Sequence, residues 1–222
     1  MSTITSEPRS AGLHVHVTWL SKAMAGEMSC LYPFWFKAHF KIPPKRNRDL
    51  DAWNADHSVM VNACAEEYRQ AGYTVWVEKQ NNLSVIGKGG AKLQGLADIV
   101  AVKDDTAIIV DCKTGFPKAS HSLQVRLYMY LLHHSKTHPA RHCTRILGEV
   151  RCTPENSEII KLPHAAWDGL FDTMKYFLDI SLAPQPPIAL PSAGDCRFCD
   201  LAKVVCEDSI DEPLADSEVE WM

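Results

Sequence analysis

Apolar residues recur with two different spacings along the chain, and these spacings predict its elements. A helical spacing of three to four residues predicts helices over 18–28, 54–71, 120–135 and 163–180, with Thr18 as the candidate cap of the first. Alternation and short apolar runs predict strands at 74–79, 83–87, twice within 95–115, at 143–151 and at 157–161. Residues 80–82 are expected to join the first two strands as a hairpin. This order of elements predicts an α/β fold with a mixed, partly antiparallel sheet flanked by helices.

The stretch GLADIVAVKDDTAIIVDCKTG, residues 95–115, carries acids in otherwise apolar strands. If its central Asp-Asp pair forms a two-residue turn, Asp98 lies directly opposite Asp111 on one face of the strand pair. Lys113 points to the same face, whereas Cys112 points to the other. Carboxylates on adjacent strands can hold Mg²⁺ or Mn²⁺, and a neighbouring lysine stabilises phosphoryl charge. The alternative is a surface salt bridge between an acid and Lys113.

Three side chains outside these strands are further candidates for this site. Gln124 and Tyr128 lie four residues apart and therefore on one face of the next predicted helix, where they can grip a phosphate or Lys113. A Gln and a Tyr at this spacing are, however, common in helices that have no catalytic role. His57, in the preceding helix, is a candidate third metal ligand, although a lone helical histidine is more often a bystander.

From composition and charge we expect a folded cytoplasmic protein. It has 222 residues, 46% of them hydrophobic, no apolar run long enough to span a membrane and no signal-peptide pattern at its start. Residues 207–222 hold seven of the 27 acids and no Lys or Arg, so we expect a flexible acidic tail. The remainder has 23 basic and 20 acidic residues. A short basic run within 41–48 suits phosphate contacts, or is simply a solvated loop.

The eight cysteines are expected to be reduced thiols or metal ligands. Cys196, Cys199 and Cys206 follow a proline-rich linker with the spacing C-x₂-C-x₆-C, which is an incomplete tetrahedral set. Cys30 is the candidate fourth ligand, because it lies in a terminal segment that can fold back. Spacing alone leaves zinc, an iron–sulfur cluster and unligated thiols open.

Taken in order, GLAD, VDCKTG and QVRLY resemble the PD-(D/E)xK nuclease core in its RecB-like form. The resemblance implies that His57, Asp98 and Asp111, with the Cys112 carbonyl as a possible fourth ligand, hold the catalytic metal. It implies that Lys113 is the catalytic lysine and that Gln124 and Tyr128 complete the motif. The expected cofactor of this site is Mn²⁺ or Mg²⁺.

One cysteine before such a core and three after it resembles the CRISPR-associated RecB-like iron–sulfur exonucleases. That resemblance implies a [4Fe–4S] cluster on Cys30, Cys196, Cys199 and Cys206. It divides the chain into an N-terminal helical segment (1–50), a nuclease core (51–182), an iron–sulfur region (183–206) and the acidic tail (207–222).

The expected function is a DNA exonuclease that acts on single-stranded DNA or overhangs and processes prespacer ends beside a CRISPR integrase complex. A compact chain without a helicase motor favours that family. The alternatives are a phage or repair nuclease of the AddB type and a DNA-end-binding subunit that does not cut. Trp35 and its aromatic neighbours Phe34 and Phe36 are candidates for base stacking, but core packing is the favoured interpretation.

Overall fold

A computed structural model describes residues 6–10, 12–42, 50–87, 90–153, 159–163, 168–201 and 205–210. The helices are α1 (Val17–Met24), α2 (Tyr32–His39), α3 (Leu50–Gln70), α4 (Ala119–His133), α5 (Asp168–Leu182) and α6 (Ala193–Phe198). Short 3₁₀ turns occupy Glu78–Asn81 and Pro139–His142. The strands are β1 (Glu7–Pro8), β2 (His14–His16), β3 (Phe40–Lys41), β4 (Thr74–Val77), β5 (Asn82–Ile86), β6 (Lys92–Leu96), β7 (Ile99–Lys103), β8 (Thr106–Thr114), β9 (Arg145–Thr153) and β10 (Ile159–Leu162).

The strands form a mixed five-stranded sheet and two smaller ones. The large sheet has the order β10-β9-β8-β7-β4, in which β8 and β9 run parallel and the other pairs are antiparallel. The order β2-β6-β5 makes the second sheet, and β1 pairs with β3. The predicted α/β class with a mixed sheet flanked by helices is confirmed.

Helices cover both faces of the large sheet, and the alternation of β8 decides which residues meet them. Ile108 and Val110 pack with Cys112 against the buried face of α3. Ala107 and Ile109 point to the other side, where they pack in the main core with α4. Asp111 and Lys113 continue this second row at the end of β8, so they belong to the α4 side of the sheet.

The predicted register of β7 and β8 is confirmed, because Lys103 pairs with Thr106 and Ile99 with Val110. The tight turn uses Asp104 at φ 53°, a left-handed conformation that Asp tolerates better than most side chains. The carboxylate of Asp105 accepts hydrogen bonds from the backbone and hydroxyl of Thr144, just before β9.

Two local predictions were wrong. Residues 74–87 do not form a hairpin, because β4 pairs with β7 while β5 pairs with β6 in the other sheet. The 3₁₀ turn at Glu78–Asn81 separates them, with Glu78 at φ 45°. Thr18 does not cap α1. Instead the His16 ring accepts a hydrogen bond from the Thr18 amide at 3.3 Å, and the helix ends four residues earlier than predicted.

The N-terminal aromatic segment folds back onto the C-terminal region. Trp35 Nε1 donates to the Ala183 carbonyl at 2.7 Å, and Lys37 pairs with Asp200 at 2.5 Å. Trp35 is 7% exposed, and Phe34 and Phe36 are also buried, so the favoured interpretation of these rings as core packing is confirmed. Most of the predicted basic run and acidic tail, residues 43–49 and 211–222, lies outside the described residues. In the described part of the chain, no helix has both the length and the apolar character that crossing a membrane requires.

Candidate active site

Asp98 lies where the chain leaves one sheet and enters the other. β6 belongs to the three-stranded sheet and β7 to the five-stranded sheet. Asn81, which is fully buried, holds the connection between them. Its amide nitrogen donates to the carbonyl oxygens of Trp76, Ala97 and Asp98 at 2.9, 3.2 and 3.4 Å. The Glu78 amide donates to the same Asp98 carbonyl at 2.8 Å, so the backbone under this carboxylate is fixed from two sides.

The carboxylates of Asp98 and Asp111 meet at this end of the large sheet. Asp98 Oδ2 accepts a hydrogen bond from the Cys112 amide at 2.7 Å, which ties it to the neighbouring strand. His57 reaches round the sheet from α3 and places Nε2 3.5 Å from Asp98 Oδ2. Lys113 Nζ lies 2.7 Å from Asp111 Oδ2. The structure therefore brings together His57, both acids and the lysine.

Burial dominates the electrostatics of the pair. It raises the pKa of Asp98 to about 7, and the Asp111 charge adds to this effect. It also raises the pKa of Asp111, against the opposing influence of Lys113. Two buried carboxylates beside one ammonium group leave negative charge uncompensated when both are ionised, so a cation would stabilise the ionised pair.

The residues present fit a hard divalent cation. Asp111 Oδ2 is buried and, apart from its ion pair with Lys113, has no hydrogen-bond partner among the described residues. Carboxylate oxygens are the ligands that Mg²⁺ and Mn²⁺ prefer, and an imidazole nitrogen is a suitable companion. The acids and His57 are not a preformed cage, since no three His, Cys, Asp or Glu side chains in the described ranges are grouped closely enough to hold a metal ion. The Cys112 carbonyl stays a predicted ligand.

Gln124 and Tyr128 lie beneath Asp111 rather than against Lys113. Gln124 Nε2 donates to Asp111 Oδ1 at 3.2 Å and to the Tyr128 hydroxyl at 2.9 Å. Both side chains are buried, Gln124 at 5% exposure and Tyr128 at 1%. These contacts differ from the expected contacts of Gln124 and Tyr128 with a phosphate or with Lys113. It makes Gln124 a donor that orients the Asp111 carboxylate, with Tyr128 orienting Gln124 in turn.

The glycine of GLAD has a packing role at this site. A Cβ on Gly95 would lie 2.5 Å from Tyr128 Cε1 and 2.9 Å from Val17 Cβ, closer than side chains approach one another. Only glycine lets β6 pass this close to the Tyr128 ring. Because Gly95 lies three residues before Asp98, the close packing of β6 on α4 also helps to place the Asp98 carboxylate.

Asn81 and His138 are residues of this site that sequence reasoning missed. The His138 ring accepts the Ala140 amide on Nδ1 at 3.1 Å, so its proton lies on Nε2, which faces Asn81 Oδ1 at 3.2 Å. The loop after α4 thereby supports the backbone of Asp98 through one buried amide. No local pattern signals this pairing, because the two residues are 57 positions apart and Asn81 looked like part of a hairpin turn.

The four predicted cluster cysteines lie near the joined ends of the chain. The Leu190 amide donates to Cys30 Sγ at 3.3 Å, and the Leu201 amide donates to Cys199 Sγ at 3.4 Å. Cys199 and Cys206 pack at the edge of the cluster built on Trp35, Phe36 and Leu201. Amide donors to sulfur are typical of thiolate ligands, so the donor chemistry fits a metal cluster. The thiols are nevertheless not gathered into one group in the described residues.

Cys112 has a structural environment distinct from these four. It is 1% exposed, and its thiol contacts that of Cys64 on α3, on the side of the sheet away from the acids. The predicted orientation of its side chain is confirmed.

Comparison with known proteins assigns the chain to a superfamily. The family model of the PD-(D/E)XK nuclease superfamily matches residues 28–207, so the chain belongs to that superfamily. Membership makes it an enzyme of the phosphodiester-hydrolysing class that acts on DNA and uses a divalent metal such as Mg²⁺ or Mn²⁺.

The chain is also similar in structure to the crystal structure of SSO0001, with a TM-score of 0.53 at 14% identity. The similarity covers 91% of this chain and 90% of the other. At that identity it supports the fold alone. A comparison with curated proteins found no match.

Proposed function

We propose that this protein is a metal-dependent exonuclease that degrades single-stranded DNA from its ends. The observation that carries the proposal is the pair of Asp111, which is buried, and Asp98, whose side chain is 16% exposed, with Lys113 against Asp111 and His57 beside Asp98. Like charges on adjacent strands are costly unless a cation lies between them, and a cation held there attracts an anionic phosphodiester. The superfamily membership supports the reaction class.

Each residue has a distinct role in the proposed mechanism. Asp98, Asp111 and His57 would hold Mn²⁺ or Mg²⁺, with the Cys112 carbonyl as a further ligand. Such a cation, when bound, supplies Lewis acidity toward a phosphoryl oxygen. Lys113 Nζ stabilises the charge that develops on the phosphoryl oxygens and orients the attacking water. Gln124 holds the Asp111 carboxylate in position through its 3.2 Å hydrogen bond, and Tyr128 fixes Gln124.

Linear and circular substrates test whether cleavage starts from ends. Linear single-stranded DNA should disappear in the presence of Mn²⁺, while covalently closed single-stranded circles of the same sequence persist. Asp98→Asn protein purified by the same procedure controls for contaminating nucleases. Rapid cleavage of the circles would make the protein an endonuclease, and loss of blunt duplex at the same rate as single strands would remove the proposed substrate preference.

We also propose that Cys30, Cys196, Cys199 and Cys206 bind a structural [4Fe–4S] cluster. The support is the donor chemistry and the fold-back contacts: the Ser29 hydroxyl donates to the Asp195 carboxylate, next to Cys196 in the chain. A cluster there would join segments that are remote in sequence and so stabilise the fold.

The biological role that we propose is the trimming of captured DNA fragments for a CRISPR integrase complex. The layout of one cysteine before the nuclease core and three after it supports this role through family resemblance. Reconstitution with the integrase encoded beside it is the test. Forked duplexes should lose their single-stranded ends to near the junction. Neighbouring genes without an integrase would favour a phage or repair nuclease instead.

A further inference from the structure

The burial of Phe34, Trp35 and Phe36 leaves the proposed substrate without the aromatic contacts that the sequence offered. A nuclease that handles unpaired DNA gains affinity from aromatic rings on which bases stack, because every base has an apolar face. Such a ring must be exposed and must lie near the catalytic groups.

Phe116 meets both conditions. Its side chain is 70% exposed, and it follows Lys113 by only three residues, in the loop between β8 and α4. Gly115 before it has φ 143°, which turns the chain sharply out of the strand. Pro117 after it restricts Phe116 to extended backbone. A large apolar ring is thus held in solvent three residues beyond Lys113, although exposure of an apolar ring to water is unfavourable.

The surface around this loop is positively charged. The Lys118 amide donates to His121 Nδ1 at 3.2 Å, which holds the start of α4 against the loop. His121 lies within electrostatic range of Lys113, Lys118 and Lys22. Lys22 in turn lies within range of Lys37 and Lys118.

The nearby acids only partly balance these lysines. Lys22, Lys37 and Lys118 lie near two carboxylates: that of Glu27, which accepts hydrogen bonds from Ser120, and that of Asp200, which pairs with Lys37. The positive charge next to Phe116 therefore suits a polyanion.

We propose that Phe116 stacks on a base of the single strand whose phosphates Lys118 and Lys22 contact, next to the scissile bond at Lys113. This inference rests on the proposed single-strand activity and assigns the substrate-binding residue for it. Stacking on one ring is sequence-tolerant, so the enzyme should bind mixed sequences with similar affinity.

Binding without turnover tests the role of the ring. Fluorescence anisotropy with a labelled single-stranded oligonucleotide in EDTA should show Phe116→Ala weakened by about 5- to 100-fold, and Phe116→Trp close to wild type. Tyr176→Ala is the matched control, because Tyr176 is 62% exposed on α5. Since Phe116 is exposed, the melting temperature and Mn²⁺ affinity of Phe116→Ala should equal those of the wild type.

Abasic substitutions identify the stacked base. One abasic position in the oligonucleotide should weaken wild-type binding, and the same substitution should have no further effect on Phe116→Ala. Equal affinity of wild type and Phe116→Ala, or additive losses at every position, would overturn the inference while leaving the proposed nuclease activity intact. A wild-type protein that neither binds nor cleaves single strands would instead remove the proposed function, and this inference with it.

Discussion

Burial of the Asp98 carboxyl determines the pH range in which the site accepts a cation. Its pKa is raised to about 7, chiefly by burial and then by the Asp111 charge. A proton therefore competes with a divalent cation for this carboxylate below neutral pH. Between about pH 4 and pH 7, Asp98 of the metal-free protein is protonated in the folded state and ionised in the unfolded state. The free energy of unfolding therefore falls as the pH rises through this range.

The first prediction concerns this competition. The dissociation constant for Mn²⁺ should rise by roughly tenfold for each pH unit below about 7, because at least one proton must leave before the metal binds. Calorimetric titration with Mn²⁺ between pH 5.5 and 8.5 measures it. Asp98→Asn should bind weakly with a flatter pH dependence. A wild-type affinity that is constant over this range would contradict the electrostatic account of Asp98.

The second prediction separates Gln124 from Tyr128. Gln124→Ala leaves a buried carboxylate oxygen without its donor, so the free energy of unfolding should fall by about 1–3 kcal/mol. Because that hydrogen bond favours the charged form of Asp111, its loss should move the acid limb of the pH–rate profile to higher pH. Tyr128→Phe keeps the Gln124–Asp111 bond and the ring beside Gly95. Because it removes only the hydroxyl that orients Gln124, its acid limb should move less than that of Gln124→Ala, and identical limbs in all three proteins would refute the positioning role of Gln124.

Residue pairs near in sequence were predictable, and pairs remote in sequence were not. The positions of Asp98, Asp111 and Lys113 followed from a two-residue turn and the period of a strand, and the register of β7 and β8 confirms the pairing. The hydrogen bond of Gln124 to Asp111 depends on how α4 packs on the sheet. The contact between His138 and Asn81 depends on a loop that no local pattern connects to Asp98.

At the scale of elements, α3 matters because it carries His57, and a charged cluster fastens it to the sheet. Arg151 on β9 pairs with Glu67 of α3 and, at 3.3 Å, with Glu149. Its guanidinium lies 5.3 Å from the centre of the Tyr68 ring. Glu149 is only 12% exposed, so its charge depends on this arginine, whereas Glu67 is 63% exposed and contributes less.

The third prediction follows from that cluster. Arg151→Leu should lower the free energy of unfolding by about 1–3 kcal/mol, because it leaves the Glu149 carboxylate nearly buried without a cation. Urea unfolding measures the loss. Lys175→Ala breaks an ion pair with Asp179 in which both partners are about 60% exposed, and it should change stability by less than about 0.5 kcal/mol. Equal effects of the two substitutions would mean that α3 is held by apolar packing alone.

The positions of helices and strands along the chain were predicted better than the pairing of the strands. Helices α3, α4 and α5 and strands β9 and β10 lie close to the predicted ranges, because each has strong local periodicity. The hairpin prediction failed because β4 pairs with β7 and β5 pairs with β6. Local sequence patterns do not determine which strands pair. The parallel pairing of β2 with β6 joins strands 78 residues apart, which no local pattern indicates.

In the molecule as a whole, helix α2 near the N-terminus is fastened to residues 181–200 beside the cysteines. Trp35 and Lys37 of α2 bind the 183–200 region, and His39 Nε2 lies 3.0 Å from the Ser181 carbonyl. These contacts explain how Cys30 approaches a segment about 160 residues away. The C-x₂-C-x₆-C spacing indicated three candidate ligands, which stay a prediction, and the approach of Cys30 to the C-terminal region was predicted only as a fold-back of a chain end.

The fourth prediction concerns the cofactor at this junction. Protein purified without oxygen should be brown and contain about four iron and four sulfide per chain, as expected for the proposed cluster. Cys30→Ser and Cys199→Ser should lose the colour and unfold at lower temperature, because remote segments are no longer joined. Cys143→Ser, outside the proposed ligand set and only partly exposed, should keep the iron. One zinc and no iron in the wild-type protein would contradict the cluster.

Substitution of Lys113 separates catalysis from metal binding, because Lys113 is proposed to act in catalysis and the two acids to hold the metal. Lys113→Ala should bind Mn²⁺ at least as tightly as the wild type, since an ammonium group 2.7 Å from Asp111 no longer competes. It should cleave linear single-stranded DNA about 10²-fold more slowly or worse. Asp111→Asn, measured in parallel, should lose both metal binding and cleavage. Wild-type cleavage rates in purified Lys113→Ala would contradict the assignment of this site as the nuclease centre.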